Sequence, residues 1–321
     1  MRRSVRRWIS TVGIAAILAV QASASASTPG SVLAAAGHST GAMSHWGPAR
    51  VDAAGGWAIT TGAQSTIIAV LDTGVDDTHP DLAGKVVGGY DFVNRDSKIA
   101  DDSWHGTAVA GIAAAAPATG EEAFSYCIRC SILSVKVLDA HEKSPDDRVA
   151  RGVLWAVAHG ARVINLSLSG DGESRALRSA LRYAAAHRVV VVAAAGNNGS
   201  STPALPAADP NVISVAATDA NDRLYAWSNR GSWITVAAPG TAETTLRGGG
   251  RVNFIGTSAA APAVAGTAAL CLTVAPSLSV ADVRQAIVSS ADPVVSQRFG
   301  RINVGRTVVR CAALAGSSPS P

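Results

Sequence analysis

The 321-residue sequence is poor in charge and in aromatic rings, with 16% charged and 5% aromatic residues. It has no excess of either sign once its first residues are set aside. Arg2, Arg3, Arg6 and Arg7 all precede the first acidic side chain, and without these four of the 27 basic residues the body carries 23 basic against 23 acidic groups. A neutral body removes the electrostatic case for a nucleic-acid partner or an anionic membrane. A second C-x-x-C and a nearby histidine pair are also absent, so Cys127-x-x-Cys130 has nothing to complete a tetrahedral zinc set. No internal repeat is present. What remains is 48% hydrophobic residues, enough to bury a core and inconsistent with a disordered chain.

The head of the chain has the form of a cleavable export leader. Four arginines precede an uncharged run from residue 8 to 20, followed by two A-x-A matches, Ala22-Ser23-Ala24 and Ala24-Ser25-Ala26. The apolar stretch is short for a membrane span, so cleavage near Ala26 is expected and the mature protein is expected to be secreted or periplasmic, with no stable membrane anchor. Arg6-Arg7 also leaves twin-arginine export open beside the general route. Residues 27–43 are small and polar and read as a linker, and residues 316–321 read as a disordered Ser/Pro tail. Export favours oxidation of Cys127, Cys130, Cys271 and Cys311. Four cysteines allow three pairings, of which near-neighbour pairing, 127 with 130 and 271 with 311, is expected.

From about residue 44, apolar runs at 66–71, 132–138, 163–168, 189–194 and 212–217 alternate with helical patterns at 105–116, 147–160 and 174–187. Runs that are apolar at every position suit strands covered on both faces, and the alternation implies right-handed crossovers. The expected fold is α/β, a doubly wound, mainly parallel sheet with helices on both faces. The alanine-rich segment 258–275 contains Pro262 and little insertion energy, so it reads as a buried helix and not a membrane span. Ser279-x-x-Asp282 opens a further helix with a capping box.

Three short motifs carry chemistry. Ile67-Ile68-Ala69-Val70-Leu71-Asp72-Thr73-Gly74 is a strand that delivers a carboxylate at its carboxyl end, where open α/β sheets form their sites. Alone, such an aspartate is a turn or cap residue. An aspartic protease would need a second D-T-G, which is absent. His105-Gly106-Thr107 opens a helix, with a glycine that permits close backbone approach. Gly256-Thr257-Ser258-Ala259-Ala260-Ala261-Pro262 places a serine at a helix start, where a serine is ordinarily a cap. It differs from the hydrolase elbow G-x-S-x-G at Ala260, and the order Ser, Asp, His of α/β esterases is not present.

In the order Asp, His, Ser these motifs resemble the subtilisin-like serine proteases, the subtilase family of peptidase S8 type, over residues 44–315. The resemblance implies an endopeptidase acting through an acyl-enzyme. Ser258 would be the nucleophile, His105 the general base and acid, and Asp72 the carboxylate that orients the imidazole. It also makes Asn197, in Ala194-Ala195-Gly196-Asn197, a side-chain donor of the oxyanion hole. Ser167, Leu168, Ser169 and Gly170 resemble an edge strand that pairs with extended substrate, while Gly196 and Ala204 line the primary pocket beside a proline often found cis. None of these residues is charged, so the pocket is expected to take apolar side chains. By the same resemblance Cys271 lies behind the nucleophile and Cys311 on the last helix.

Polypeptides are the implied partners, a monomer is the expected state, and no metal or cofactor is required for the chemistry. Structural calcium is left open at Asp81 and in an acidic loop with Asp96, Asp101 and Asp102. The sequence departs from the family pattern at Ala108, Ala259 and Ala263, where histidine, methionine and histidine are usual. Only 17 residues separate leader from domain, too few for the long folding pro-segment common in the family. A catalytically inactive, substrate-binding relative is therefore the alternative reading.

Overall fold

The apolar runs form strands and the segments between them helices, as covered parallel sheets require. The computed structural model describes residues 8–10, 46–117, 121–170 and 174–316. The expected leader, apart from Trp8–Ser10, and the linker over 27–43 lie outside the described residues, as does the chain beyond Gly316. In chain order the elements are β1 (Trp8–Ser10), α1 (Trp46–Arg50), α2 (Ala53–Trp57), β2 (Ile67–Asp72), β3 (Val86–Asp91), α3 (His105–Ala114), β4 (Ser131–Lys136), β5 (Lys143–Pro145) and α4 (Asp146–Ala158). They continue as β6 (Val163–Leu166), α5 (Arg175–Ala186), β7 (Val190–Ala194), β8 (Val212–Thr218), β9 (Val236–Pro239), β10 (Thr241–Thr245), β11 (Arg251–Ile255), α6 (Thr257–Val274), α7 (Val280–Ser290), β12 (Asp292–Pro293), β13 (Gly300–Arg301) and α8 (Val304–Gly316).

Nine strands form one sheet in the order β12-β13-β9-β8-β7-β6-β2-β4-β3, parallel throughout except for the β12–β13 pair at its edge. From β2 the chain moves outward to β3 and β4, then returns to the other side of β2 and builds β6 to β9. The winding thus reverses at β2, and the crevice beyond the carboxyl ends of strands at such a switch is where open α/β sheets bind ligands. Asp72 is the last residue of β2. The hairpin β10–β11 stands apart from the sheet, and β1 pairs antiparallel with β5.

Two apolar layers cover the sheet. Ile68 and Val70 face α3 and α6 on one side, and Leu71 and Val135 face α4 and α5 on the other. Helix α6 is long and apolar enough to cross a membrane, but 89% of it is buried inside the protein, so it is the central core helix. Cys271 on α6 is bonded to Cys311 on α8, and Cys127 to Cys130. The capping box of Ser279 and Asp282 opens α7.

Several boundaries differ from the sequence reading. The first helix ends at Ala114 and not at 116, and α8 runs through Gly316, which belongs to a helix and not to the tail. Strand β3 escaped the reading because Gly88 and Gly89 interrupt its pattern, and β10 because it is polar, Thr-Ala-Glu-Thr-Thr.

Candidate active site

β2 places the Asp72 carboxylate at the switch point, where the backbone N–H of Thr73 donates to its Oδ1 at 2.8 Å. α3 begins at the far side of the same crevice with His105, whose Nδ1 lies 2.7 Å from Asp72 Oδ1. Both side chains are fully buried. Gly106 is what allows this approach, since a Cβ on it would lie 2.0 Å from the Gly74 carbonyl oxygen, and any side chain would drive α3 away from β2. The rings of Trp104 and Phe254 pack edgewise at 6.2 and 5.2 Å from the imidazole and keep water from that side.

Burial disfavours the imidazolium, but the charge of Asp72 and its hydrogen bond outweigh it, with help from Glu142 and Asp101, and His105 titrates above the ordinary imidazole value. Burial likewise pushes the Asp72 carboxyl up, against the pull of His105 and the Thr73 N–H.

Ser258 is the second residue of α6, reached from β11 through Gly256. Pro262 lies four residues on, so the N–H that would close the first helical turn onto the Ser258 carbonyl is missing. Ser167 Oγ donates to that carbonyl instead, at 3.0 Å. The Ser258 hydroxyl in turn donates to the Ser167 carbonyl at 3.3 Å. His105 Nε2 is buried and has no hydrogen-bond partner among the described residues. The structure therefore joins Asp72 to His105 and ties Ser258 to Ser167, without a hydrogen bond between Ser258 and His105.

Asn197 sits in the turn after β7. Its Oδ1 accepts from both the N–H and the Oγ1 of Thr257 at 2.9 Å, which fixes the amide plane beside the start of α6. The turn is wrapped by Asn229, whose Oδ1 accepts from the N–H groups of Asn198 and Ser200 while its Nδ2 donates to the Ala195 carbonyl. Gly196 adopts a φ of 105°, and a Cβ there would lie 2.5 Å from Asn229 Nδ2 and 3.2 Å from Ser169 Oγ. The turn and the 167–170 segment thus face each other across a narrow gap.

The expected edge strand needs correction. Val163–Leu166 is a central strand between β2 and β7, and residues 167–170 continue beyond its carboxyl end. Gly170 is bridged to Leu205 by two backbone hydrogen bonds, Ser167 and Leu168 are buried, and the Leu205–Pro206 bond beside Ala204 is cis.

The acidic residues considered for calcium each have a partner within the protein. Asp81 is bonded by Arg251 at 3.1 Å, and Asp102 and Asp91 are paired with Lys136. Asp96 accepts from the Lys98 N–H, and Asp101 is buried beneath four donors. No cluster of three or more metal-binding side chains occurs among the described residues. Asp101 lies in the expected loop but is buried and internally bonded, and Asn229 was missed altogether because nothing in its local sequence marks it.

The stretch of chain that carries β2, α3 and α6 is matched by a family model. The Subtilase family, Peptidase_S8, matches residues 63–301. The chain belongs to the subtilase family. By that membership its reaction class is serine-type peptide hydrolysis, for which no cofactor is needed. This subtilase is 43% identical over 252 residues to a thermophilic serine proteinase of Bacillus sp. (strain AK1), covering 77% of this chain and 62% of that one. It is 41% identical over 268 residues to thermitase of Thermoactinomyces vulgaris, covering 82% of this chain and 95% of the relative. Among solved structures, a cold adapted subtilisin-like serine proteinase superposes with a TM-score of 0.69 at 32% identity, over 75% of this chain and 88% of that chain.

Proposed function

We propose that the protein is an exported endopeptidase in which Ser258, His105 and Asp72 act as one catalytic unit. The observation that carries this reading is the buried 2.7 Å contact between His105 Nδ1 and Asp72 Oδ1, which leaves Nε2 as the ring's proton acceptor. A serine hydroxyl attacks a carbonyl only when a base takes its proton, and the base must be held in one tautomer. The reading requires that rotation of Ser258 about χ1 bring its hydroxyl from the Ser167 carbonyl to Nε2. Oγ then bonds to the substrate carbonyl carbon as Nε2 takes the proton, the tetrahedral oxyanion collapses, and His105 returns that proton to the leaving amine. Water repeats the sequence on the acyl-enzyme.

The oxyanion would be met by the Asn197 side-chain amide and the Ser258 N–H. Removing one such donor costs about 10²–10³ in turnover, a magnitude measured on a subtilisin itself. The uncharged segments at 167–170, 194–196 and 204 favour an apolar substrate side chain. The 1–26 leader supports export to a secreted or periplasmic location, with polypeptides as substrates and a monomer as the working form.

The inactive alternative draws on the Ser258–Ser167 hydrogen bond, which occupies the hydroxyl. Peptide hydrolysis by the purified mature protein and by Ser258→Ala separates the two. The proposal requires turnover in the first and at least about a thousandfold loss in the second, whereas no turnover by the wild type at any pH between 6 and 10 favours the binding protein.

A further inference from the structure

We propose that Asp101 is a positioning residue, the clamp that locks the exit of β2 onto the first turn of α3 and thereby sets the Asp72–His105 contact. Its side chain is almost wholly buried and accepts four hydrogen bonds. Oδ1 accepts from Thr73 Oγ1 at 2.7 Å and from the Ser103 N–H at 2.9 Å, and Oδ2 accepts from the Thr107 N–H at 2.9 Å and Thr107 Oγ1 at 2.6 Å. Thr73 follows Asp72 directly and Thr107 lies two residues after His105. The two hydroxyls extend the clamp: the Gly106 N–H donates to Thr73 Oγ1 at 3.0 Å, and the Asp76 N–H donates to Thr107 Oγ1 at 3.0 Å. Each carboxylate oxygen thus closes a chain that runs from the segment leaving β2 to the start of α3.

The N-cap residue of α3, Trp104, makes no side-chain capping bond, so Asp101 also supplies the acceptor that the first turn of the helix lacks. A carboxylate suits this place because donors converge on both oxygens, and an amide would turn an N–H toward one pair of them. Asp101 does not touch Asp72 or His105, and acts through the backbone that carries them.

The charged groups that face His105 are Asp72 from β2, Glu142 from the loop before β5 and Asp101 from its own loop, while Trp104 and Phe254 complete the surroundings without charge. All three acids favour the imidazolium. Loss of the Asp101 charge therefore moves the acid limb of activity to lower pH, whereas loss of the Thr73 hydroxyl leaves that charge in place.

The inference rests on the triad reading, and the test separates the two. Asp101→Asn, Thr73→Val and Thr73→Ser are assayed on peptide substrate, with active sites counted by fluorophosphonate titration. Asp101→Asn is expected to lower kcat per titrated site between about 10- and 100-fold with KM within about twofold, since misplacement by a fraction of an ångström acts on the chemical step. Its acid limb moves down in pH. Thr73→Val loses kcat similarly at an unmoved acid limb, and Thr73→Ser restores it. Equal kcat per titrated site in Asp101→Asn, or in Thr73→Val should Asp101→Asn not fold, overturns the clamp. A wild type that does not label at all overturns the triad reading instead.

Discussion

His105 and Asp72 occupy a site where burial and charge oppose each other. The imidazole is held in one orientation by a carboxylate that is itself fully buried. Because the base must be neutral to accept the Ser258 proton, and Asp72, Glu142 and Asp101 together raise the His105 pKa despite burial, activity is expected to appear only as pH rises past the ordinary imidazole value of about 6.5. A profile of kcat/KM against pH checks this, and a midpoint at or below about 6.5 contradicts it. An unshifted imidazole would have placed the limb at pH 6–7, and the buried carboxylate is the reason it moves upward. Replacement of Ser258, His105 or Asp72 by alanine should each remove nearly all activity, and double replacements should cost little more. That non-additivity is a pattern established on a subtilisin. Steady-state kinetics on the single and double variants measure it.

At the scale of elements, the start of α6 depends on Pro262. Without its N–H, the Ser258 carbonyl relies on Ser167 Oγ, which reaches it from the segment after β6. Ser167→Ala leaves that buried carbonyl short of a partner and should destabilise the protein by about 1–3 kcal/mol, readable as a lowered midpoint in urea with an unchanged slope. The segments proposed to line the pocket, 167–170, 194–196 and 204, contain no carboxylate, and a buried cationic side chain without a partner is costly, whereas apolar surface gains about 25 cal/mol per Å² removed from water. Chromogenic peptides should therefore be cleaved after Leu, Met or Ala ahead of Arg or Lys, and a strict preference for basic residues sinks the pocket assignment while leaving the triad standing.

The elements themselves were legible to different degrees. Ile67–Asp72 and Val190–Ala194 stood out because every position is apolar, as is needed for strands covered on both faces. β10, Thr-Ala-Glu-Thr-Thr, carried no such pattern, and its place is set by Thr244 and Thr245, whose hydroxyls donate to the Ala108 and Thr107 carbonyls far along the chain. The elements that carry the Asp, His and Ser motifs were legible as one strand end and two helix starts. Asp101 was seen only as one acid in an acidic loop, since its partners Thr73 and Thr107 become neighbours only when α3 docks on β2. Asn229 was invisible for the same reason, being drawn to the 195–200 turn by the fold.

For the whole molecule, the reversal of winding at β2 places Asp72 where α3 presents His105, the Asn197 turn binds the start of α6, and α6 serves both as core and as the support for Ser258. The bond between Cys271 and Cys311 ties this helix to α8 across 40 residues of chain. Closing a loop of that length restricts the unfolded chain, and its removal by Cys271→Ser with Cys311→Ser should cost about 4 kcal/mol in a denaturant titration, with the Cys127–Cys130 bond intact by non-reducing peptide mapping. A loss below about 1 kcal/mol contradicts that role for the bridge. The central claim is that a serine at the head of a buried helix is a nucleophile and not a cap. Mass spectrometry of the intact mature protein after fluorophosphonate treatment tests it directly: one adduct per chain, mapped to Ser258 and lost in His105→Ala, is the predicted result, and no adduct at Ser258, or one that persists in His105→Ala, contradicts it.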